Sequence, residues 1–287
     1  MVVARKIGAY VLPGDTVWLE KTLQRYYPLL DDLVVPVPRR GIGWNGVEIP
    51  VTAAIEQIRT VDRRGIVRQI SGDWVNQQHP MAADTAQRQA ALDALRGHVD
   101  WVIQLDNDEY LPDPSALLRA VDEAERRGLS AVEWPMRVLY RRTRRWVFEI
   151  AAQDGGPRYE YPGAVVVRPD VRLVDARRID GDFLRVTVAG DYGSLQVRRP
   201  EAPEEHRWQT ATPGDAIVHN SWARSPSEIR AKLGSWGHAG DFSRGRYYWT
   251  RWWPTPVIWR VQRDFHPFSS GLWPRLIRLE HTTDNSD

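Results

Sequence analysis

An α/β fold on a mostly parallel sheet flanked by helices is predicted by three observations. Short apolar runs alternate with helical patterns over the first part of the chain. Trp101 to Leu105 is a mostly apolar run, as expected of a strand buried on both faces. After Ala131 the pattern changes to short strands separated by Pro, Gly and Asp, which reads as an antiparallel insertion. With 287 residues, 42% of them hydrophobic, the chain can bury a sizeable core, which excludes global disorder.

The elements follow in order. Ile7 to Leu12 reads as a strand, and Asp15-Thr16 offers caps for a helix from about Val17 to Tyr27. Leu33 to Val37 is a second strand, Val51 to Val61 a helix and Ile66 to Ile70 a third strand. Asp84 reads as the cap of a helix running to about Leu95, before Gly97. After the Trp101 strand, Asp113 as N-cap, Pro114 in the first turn and Gly128 after the last turn bound a helix whose apolar stripe is Leu117, Leu118, Val121 and Ala124. Ala164 to Arg168, Val171 to Val174, Phe183 to Val188 and Ser194 to Arg198 read as strands. Ser225-Pro226-Ser227-Glu228 is a capping box opening a helix with Ile229, Leu233 and Trp236 on one face. No repeat or low-complexity linker interrupts the chain. The expected division is residues 1–242 as the main domain and 243–287 as a Trp- and Arg-rich C-terminal extension packed on it.

A net charge of +2 from 39 basic and 37 acidic side chains argues against polyanion binding as the main function, so no nucleic-acid partner is expected. The absence of cysteine excludes disulfides, thiolate metal sites and a cysteine nucleophile. The start Met1 to Lys6 leads into an apolar run too short for a signal peptide or a bilayer span. A cytoplasmic location is therefore the expectation, with peripheral membrane attachment as its one extension.

The chemistry is concentrated in Asp106-Asn107-Asp108-Glu109, directly after the buried strand. In open α/β sheets the ligand crevice lies beyond the carboxyl ends of the strands. Side chains two apart in an extended segment point the same way, so Asp106 and Asp108 can converge on one hard cation, Mg²⁺ or Mn²⁺, with Asn107 facing away. A diphosphate bridging to that metal becomes a better leaving group. A lone D-x-D is equally a solvated turn, and context decides.

That context is Thr85-Ala86-Gln87-Arg88-Gln89-Ala90-Ala91-Leu92 followed by Asp100 to Leu111, which resembles the GT-A glycosyltransferases related to family 2. In these a helix carrying an arginine leads into a strand ending in the D-x-D motif. The resemblance implies a Rossmann-like GT-A fold with a nucleotide diphosphate sugar as donor, UDP-sugar being favoured as the commonest in such enzymes. It implies that Asp106 meets the ribose or the metal shell, that Asp108 binds the metal, and that Asn107 and Arg88 lie with the donor, against an exposed helix arginine as the plain alternative. Ala216 to Ser225, with Lys232 and Trp236-Gly237-His238, resembles the later part of such enzymes, where a histidine completes the metal shell. This implies His219 as a ligand and Lys232 or His238 as phosphate contacts.

The sequence also departs from the pattern. Where these enzymes carry an acid after the second strand, this chain has Pro38 to Gly46 without one, and Asp73 beyond the third strand is the substitute for base or ribose contact. The general base of an inverting transferase would lie between the D-x-D and the histidine. Glu149, Asp180 and Asp182 stand in that interval, and no motif selects among them.

Three rival readings are a metal-dependent phosphohydrolase on the same carboxylates, a dinucleotide enzyme and a nucleic-acid-binding module. Gly41-Ile42-Gly43-Trp44-Asn45-Gly46 matches G-x-G-x-x-G, but it lacks an immediate strand before it and an immediate helix after it. The module would use the arginines at 137, 141, 142, 144 and 145, read here as a solvated strand and turn, together with the tryptophans. The Trp-rich segment from Trp236 to Trp273 is expected to act as a lid over the acceptor side. Alternatively it sits at a membrane interface and meets a lipid-linked acceptor, although prolines at 254, 256 and 267, with Pro274 just after it, break a long interfacial helix.

Overall fold

The computed structural model describes residues 5–235 and 243–280. The chain falls into two compact units, and their boundary is not at residue 242. The first comprises Met1–Pro135, Tyr161–Ala189 and Glu201–Ile217; the second comprises Met136–Glu160, Gly190–Pro200 and Val218–Asp287.

The first unit holds β1 (Ile7–Tyr10), α1 (Leu19–Tyr26), β2 (Asp32–Pro38), α2 (Val51–Val61), β3 (Val67–Gly72), α3 (Pro80–Leu95), β4 (Trp101–Ile103) and α4 (Pro114–Arg127). It continues with β5 (Ala131–Glu133), β6 (Ala164–Val167), β7 (Phe183–Val188) and β8 (Glu205–Ala211). The eight strands form one sheet in the order β8-β7-β5-β6-β4-β1-β2-β3. Every neighbouring pair is parallel except the two that include β6. The insertion expected after Ala131 is thus antiparallel in this sheet at a single strand.

Local signals set most boundaries. Asp113 caps α4 by accepting from the Ser115 N–H, and Gly128 ends it in the left-handed conformation. The start of α3 differs from the expected one. Proline 80 opens the helix, and Asp84 is buried one turn inside it, paired to Arg88 at i+4. A capping role is excluded because the first turn precedes it. Ala91, Leu92 and Leu95 of α3 pack with Tyr10, Val34 and Val102 of the sheet in one apolar cluster.

The strand order contains a reversal that fixes where a ligand belongs. From β1 the chain steps to β2 and β3 on one side, then returns to place β4 on the other side of β1. The carboxyl ends of β1 and β4 therefore flank a topological switch point, where open α/β sheets bind their ligands.

In the second unit Met136–Arg142, Trp146–Ala151 and Arg275–Glu280 form an antiparallel sheet. Its core joins Val138, Tyr140 and Phe148 to Trp222, Ile229, Tyr247, Trp252, Phe265 and Trp273. Tyr247, Tyr248, Trp252, Phe265 and Trp273 are thus core to this unit, which corrects the lid expectation for Trp252 and Trp273. Ser225 and Glu228 form the predicted capping box on the helix Pro226–Ser235. Ser194 to Arg198, read as a strand, contains the helical turn Leu195–Arg198, because the Asp191 carboxylate gathers the N–H groups of Gly193 and Ser194 into a turn. Nor is the arginine cluster simply solvated. Arg141 is buried with its guanidinium 3.7 Å from the centroid of the Trp252 ring, while Arg137 pairs with Glu149.

Candidate active site

The loop after β4 is held from three sides. Its backbone closes on itself, with the Glu109 N–H donating to the Asp106 carbonyl at 3.0 Å and the Asp106 N–H donating to Glu109 Oε2 at 2.9 Å. The Asn107 amide donates to the carbonyls of Leu12 and Asp15, at 2.8 and 2.7 Å, and so ties the loop to the segment that follows β1. The donors of the Asn107 amide are thus used inside the fold. Gln104, fully buried, donates to the Ala164 carbonyl at 2.8 Å and accepts from the Tyr10 hydroxyl at 3.0 Å, which fastens the strand end to β6 and β1.

The third support is Glu109 itself. Its side chain is 0% exposed, and both carboxylate oxygens accept from Arg177, at 2.5 and 2.7 Å. Such a fork-to-fork pair fixes orientation as well as charge. Arg177 lies between the short strands Leu173–Asp175 and Arg178–Ile179, and also donates to the Gln104 carbonyl at 3.0 Å. Helix α3 places this hairpin: Thr85 accepts from the Ala176 N–H and Gln89 from the Leu173 N–H, each at 2.8 Å. Gly163 lets the chain pass close beneath it, with a φ of +140°, and a Cβ there would stand 2.9 Å from the Arg177 carbonyl carbon. Gly163→Ala should therefore lower stability by about 1–3 kcal/mol through strain and displacement of Arg177. Urea unfolding measures it, and a cost near zero would mean that the hairpin shifts freely.

Arg88 reaches the loop from α3 and is buried, which corrects the reading of an exposed helix arginine. Its Nε donates to Asp84 at 2.6 Å and one terminal nitrogen to Asp106 at 2.8 Å. Burial pushes the Asp84 carboxyl up, against the opposing pull of Arg88. Burial alone would also raise Asp106, but Arg88 and Arg177 outweigh it and hold that carboxyl below the usual range. Asp106 therefore stays ionised with its side chain one-third exposed, while Asp108 beside it is nearly enclosed. Burial pushes the Tyr10 hydroxyl up to about 12, so at neutral pH it remains a proton donor to Gln104.

The other predicted residues are distributed as follows. Asp73 lies beyond the carboxyl end of β3, exposed and 3.6 Å from the Arg40 guanidinium. Asp180 and Asp182 precede β7 and are exposed, with the Asp182 carbonyl accepting from Ser130 just before β5. Because β5, β7 and β4 run in the same direction, this is the amino edge of the sheet, opposite the Asp106 loop. Asp182 and Asp180 therefore stand at the end of these strands away from that loop. Glu149 belongs to the second unit and is buried, with both oxygens already accepting from Arg137 at 2.9 and 2.5 Å. His219 ends the strand Ile217–His219, and Lys232 donates to the Ser221 hydroxyl at 2.9 Å; both belong to the second unit. His238 and Trp236 lie outside the described residues.

Among the described residues no group of three or more His, Cys, Asp or Glu side chains is placed to hold a metal ion. A groove of about 500 Å³ opens at the amino edge of the first unit's sheet, lined by residues that include Lys6, Asp32, Arg68 and His98. It lies at the wrong end of the strands for a switch-point ligand, and its strongest charges, Arg68 and Asp32, already pair at 2.6 Å. The Gly41 to Gly46 segment folds back on itself, with the Gly43 N–H donating to the Val47 carbonyl and α2 starting only at Val51. This geometry does not present a helix N-terminus at the glycines, as a dinucleotide fingerprint requires.

No family model matches the chain, and no curated protein matches it. Among solved structures it is similar to 4-diphosphocytidyl-2C-methyl-D-erythritol synthase from Anaerococcus prevotii, at 13% identity and a TM-score of 0.33, covering 57% of this chain and 70% of that one. It is also similar to mannose-6-phosphate isomerase from Helicobacter pylori, at 14% identity and a TM-score of 0.32, covering 52% of this chain and 57% of that one. Likeness at this level has no bearing on what the chain does.

Proposed function

We propose that the first unit carries the donor site of a metal-dependent glycosyltransferase that takes a sugar from a nucleotide diphosphate. The observation that supports this most is the position and rigidity of the Asp106 to Glu109 loop: it emerges from β4 at the switch point and is anchored by Glu109–Arg177 and by the Asn107 amide. The GT-A resemblance of the same residues supplies the chemical reading.

The donor set suits the proposed ion. Asp106 and Asp108 offer oxygen only, from one loop, and Mg²⁺ or Mn²⁺ in such sites takes one or two carboxylates and fills its shell with water and substrate phosphates. With no third protein ligand grouped there among the described residues, an ion at this loop would be completed by the diphosphate. Bound in that way it would neutralise charge on the departing nucleotide. The chain's own contribution is to hold Asp106 ionised and fixed through Arg88, and to place Asp108 two residues along the same loop. Asp73 at the ribose or base belongs to the same proposal.

A thermal-shift panel of UDP, GDP, dTDP and CDP, each with and without Mn²⁺, tests it. One nucleotide diphosphate should stabilise the protein, and only with metal. Stabilisation by NAD or NADP alone, or indifference to every diphosphate, would remove the reading.

A further inference from the structure

In the second unit, the segment from Ser243 to Arg263 has two apolar sides. One is accounted for: Tyr247, Tyr248 and Trp252 enter the core, and the Trp252 indole N–H donates to the Trp222 carbonyl at 3.0 Å. The other faces solvent. Trp249, Trp253, Val257 and Val261 are 61%, 46%, 84% and 79% exposed and recur every four residues along a run of short helical turns. The two indoles touch, with ring centroids 5.9 Å apart. Large apolar side chains left in a contiguous exposed row mark an interaction surface.

Charge narrows what that surface meets. Residues 243–263 contain five arginines, at 244, 246, 251, 260 and 263, and no aspartate or glutamate. Among the described residues none of these arginines forms an ion pair with a carboxylate. The nearest acid in sequence, Asp264, is turned into its own loop, where it accepts from the Ser270 hydroxyl and the Gly271 N–H. Arg244, Arg246, Arg260 and Arg263 are exposed in the same segment. Indole rings prefer the zone between lipid headgroups and acyl chains, and arginines close to an anionic leaflet gain from its surface potential. No described helix is long and apolar enough to cross a bilayer.

We propose that this face docks the second unit on an anionic lipid surface, with Trp249 and Trp253 inserted at headgroup depth and the arginines on lipid phosphates. The proposal does not depend on the transfer chemistry, and its test uses no nucleotide. Co-sedimentation of the full chain with phosphatidylcholine vesicles, with and without phosphatidylglycerol, should show binding only to the anionic set. Trp249→Ser with Trp253→Ser should lower partitioning by roughly tenfold or more from lost apolar burial. Arg246→Gln and Arg260→Gln should each lower it by roughly fivefold, and high salt should do the same. All three variants change exposed positions, and an unaltered melting temperature would show that the fold is retained. Binding that is equal on neutral vesicles, or absent from both, would overturn the proposal. So would vesicle indifference combined with concentration-dependent self-association abolished by the tryptophan changes, or with binding of a single-stranded RNA oligomer.

Discussion

Glu109→Ala is expected to cost about 3–5 kcal/mol of stability, which would leave a domain of ordinary stability barely folded. The reason is the partner left behind more than the bond lost. Arg177 is 4% exposed and cannot shed its proton, so without Glu109 a guanidinium would remain inside the fold with the Gln104 carbonyl as its remaining direct hydrogen-bond acceptor. Asp106 acts on Arg177 electrostatically and would soften the loss without replacing the paired oxygens. Arg177→Ala is the mirror case, with a carboxylate stranded at zero exposure. The double replacement should be less damaging than the sum of the singles, because it removes both charges together. Urea unfolding of the two singles and the double gives this coupling directly. Single costs that simply add, each below about 1 kcal/mol, would show that the pair does not hold the loop.

How far the sequence discloses this site depends on the range of the interactions involved. Helix α4 is legible because its signals are local: Asp113, Pro114 and Gly128 each act within a turn of where they stand. The loop after β4 is legible because an apolar run ending in carboxylates has few structural uses. Asp84 is misread for the same reason in reverse. An aspartate shortly before an apolar helical stretch looks like a cap, and only the buried Arg88, shared with Asp106, explains why it stands inside the helix. Arg177 lies 68 residues from its partner, and nothing in the sequence separates it from Arg172 and Arg178, which are exposed. The tryptophans of the last part divide between core and surface on a helical period that an irregular, proline-interrupted segment conceals.

Asp108→Asn is expected to abolish most of the metal-dependent stabilisation by nucleotide diphosphate. Asparagine preserves shape and one acceptor oxygen at a position that is only 6% exposed, where alanine would also leave a cavity. The charge is what it removes. Losing a direct carboxylate ligand should weaken metal-nucleotide binding by roughly a hundredfold or more. With ligand present at about one hundred times the wild-type dissociation constant, stabilisation would fall from about 2.7 to about 0.4 kcal/mol. Asp106→Asn is the informative companion, because Asp106 also neutralises buried Arg88 and should therefore lower stability even without ligand. The two carboxylates of one motif are read apart by comparing each variant's own melting temperature with its Mn²⁺-dependent increment: Asp108 should remove the increment, and Asp106 should also lower the stability of the free protein through Arg88. If Asp108→Asn keeps the full metal-dependent shift while Asp106→Asn merely unfolds the chain, the loop is structural and the ion, if one binds, is held elsewhere.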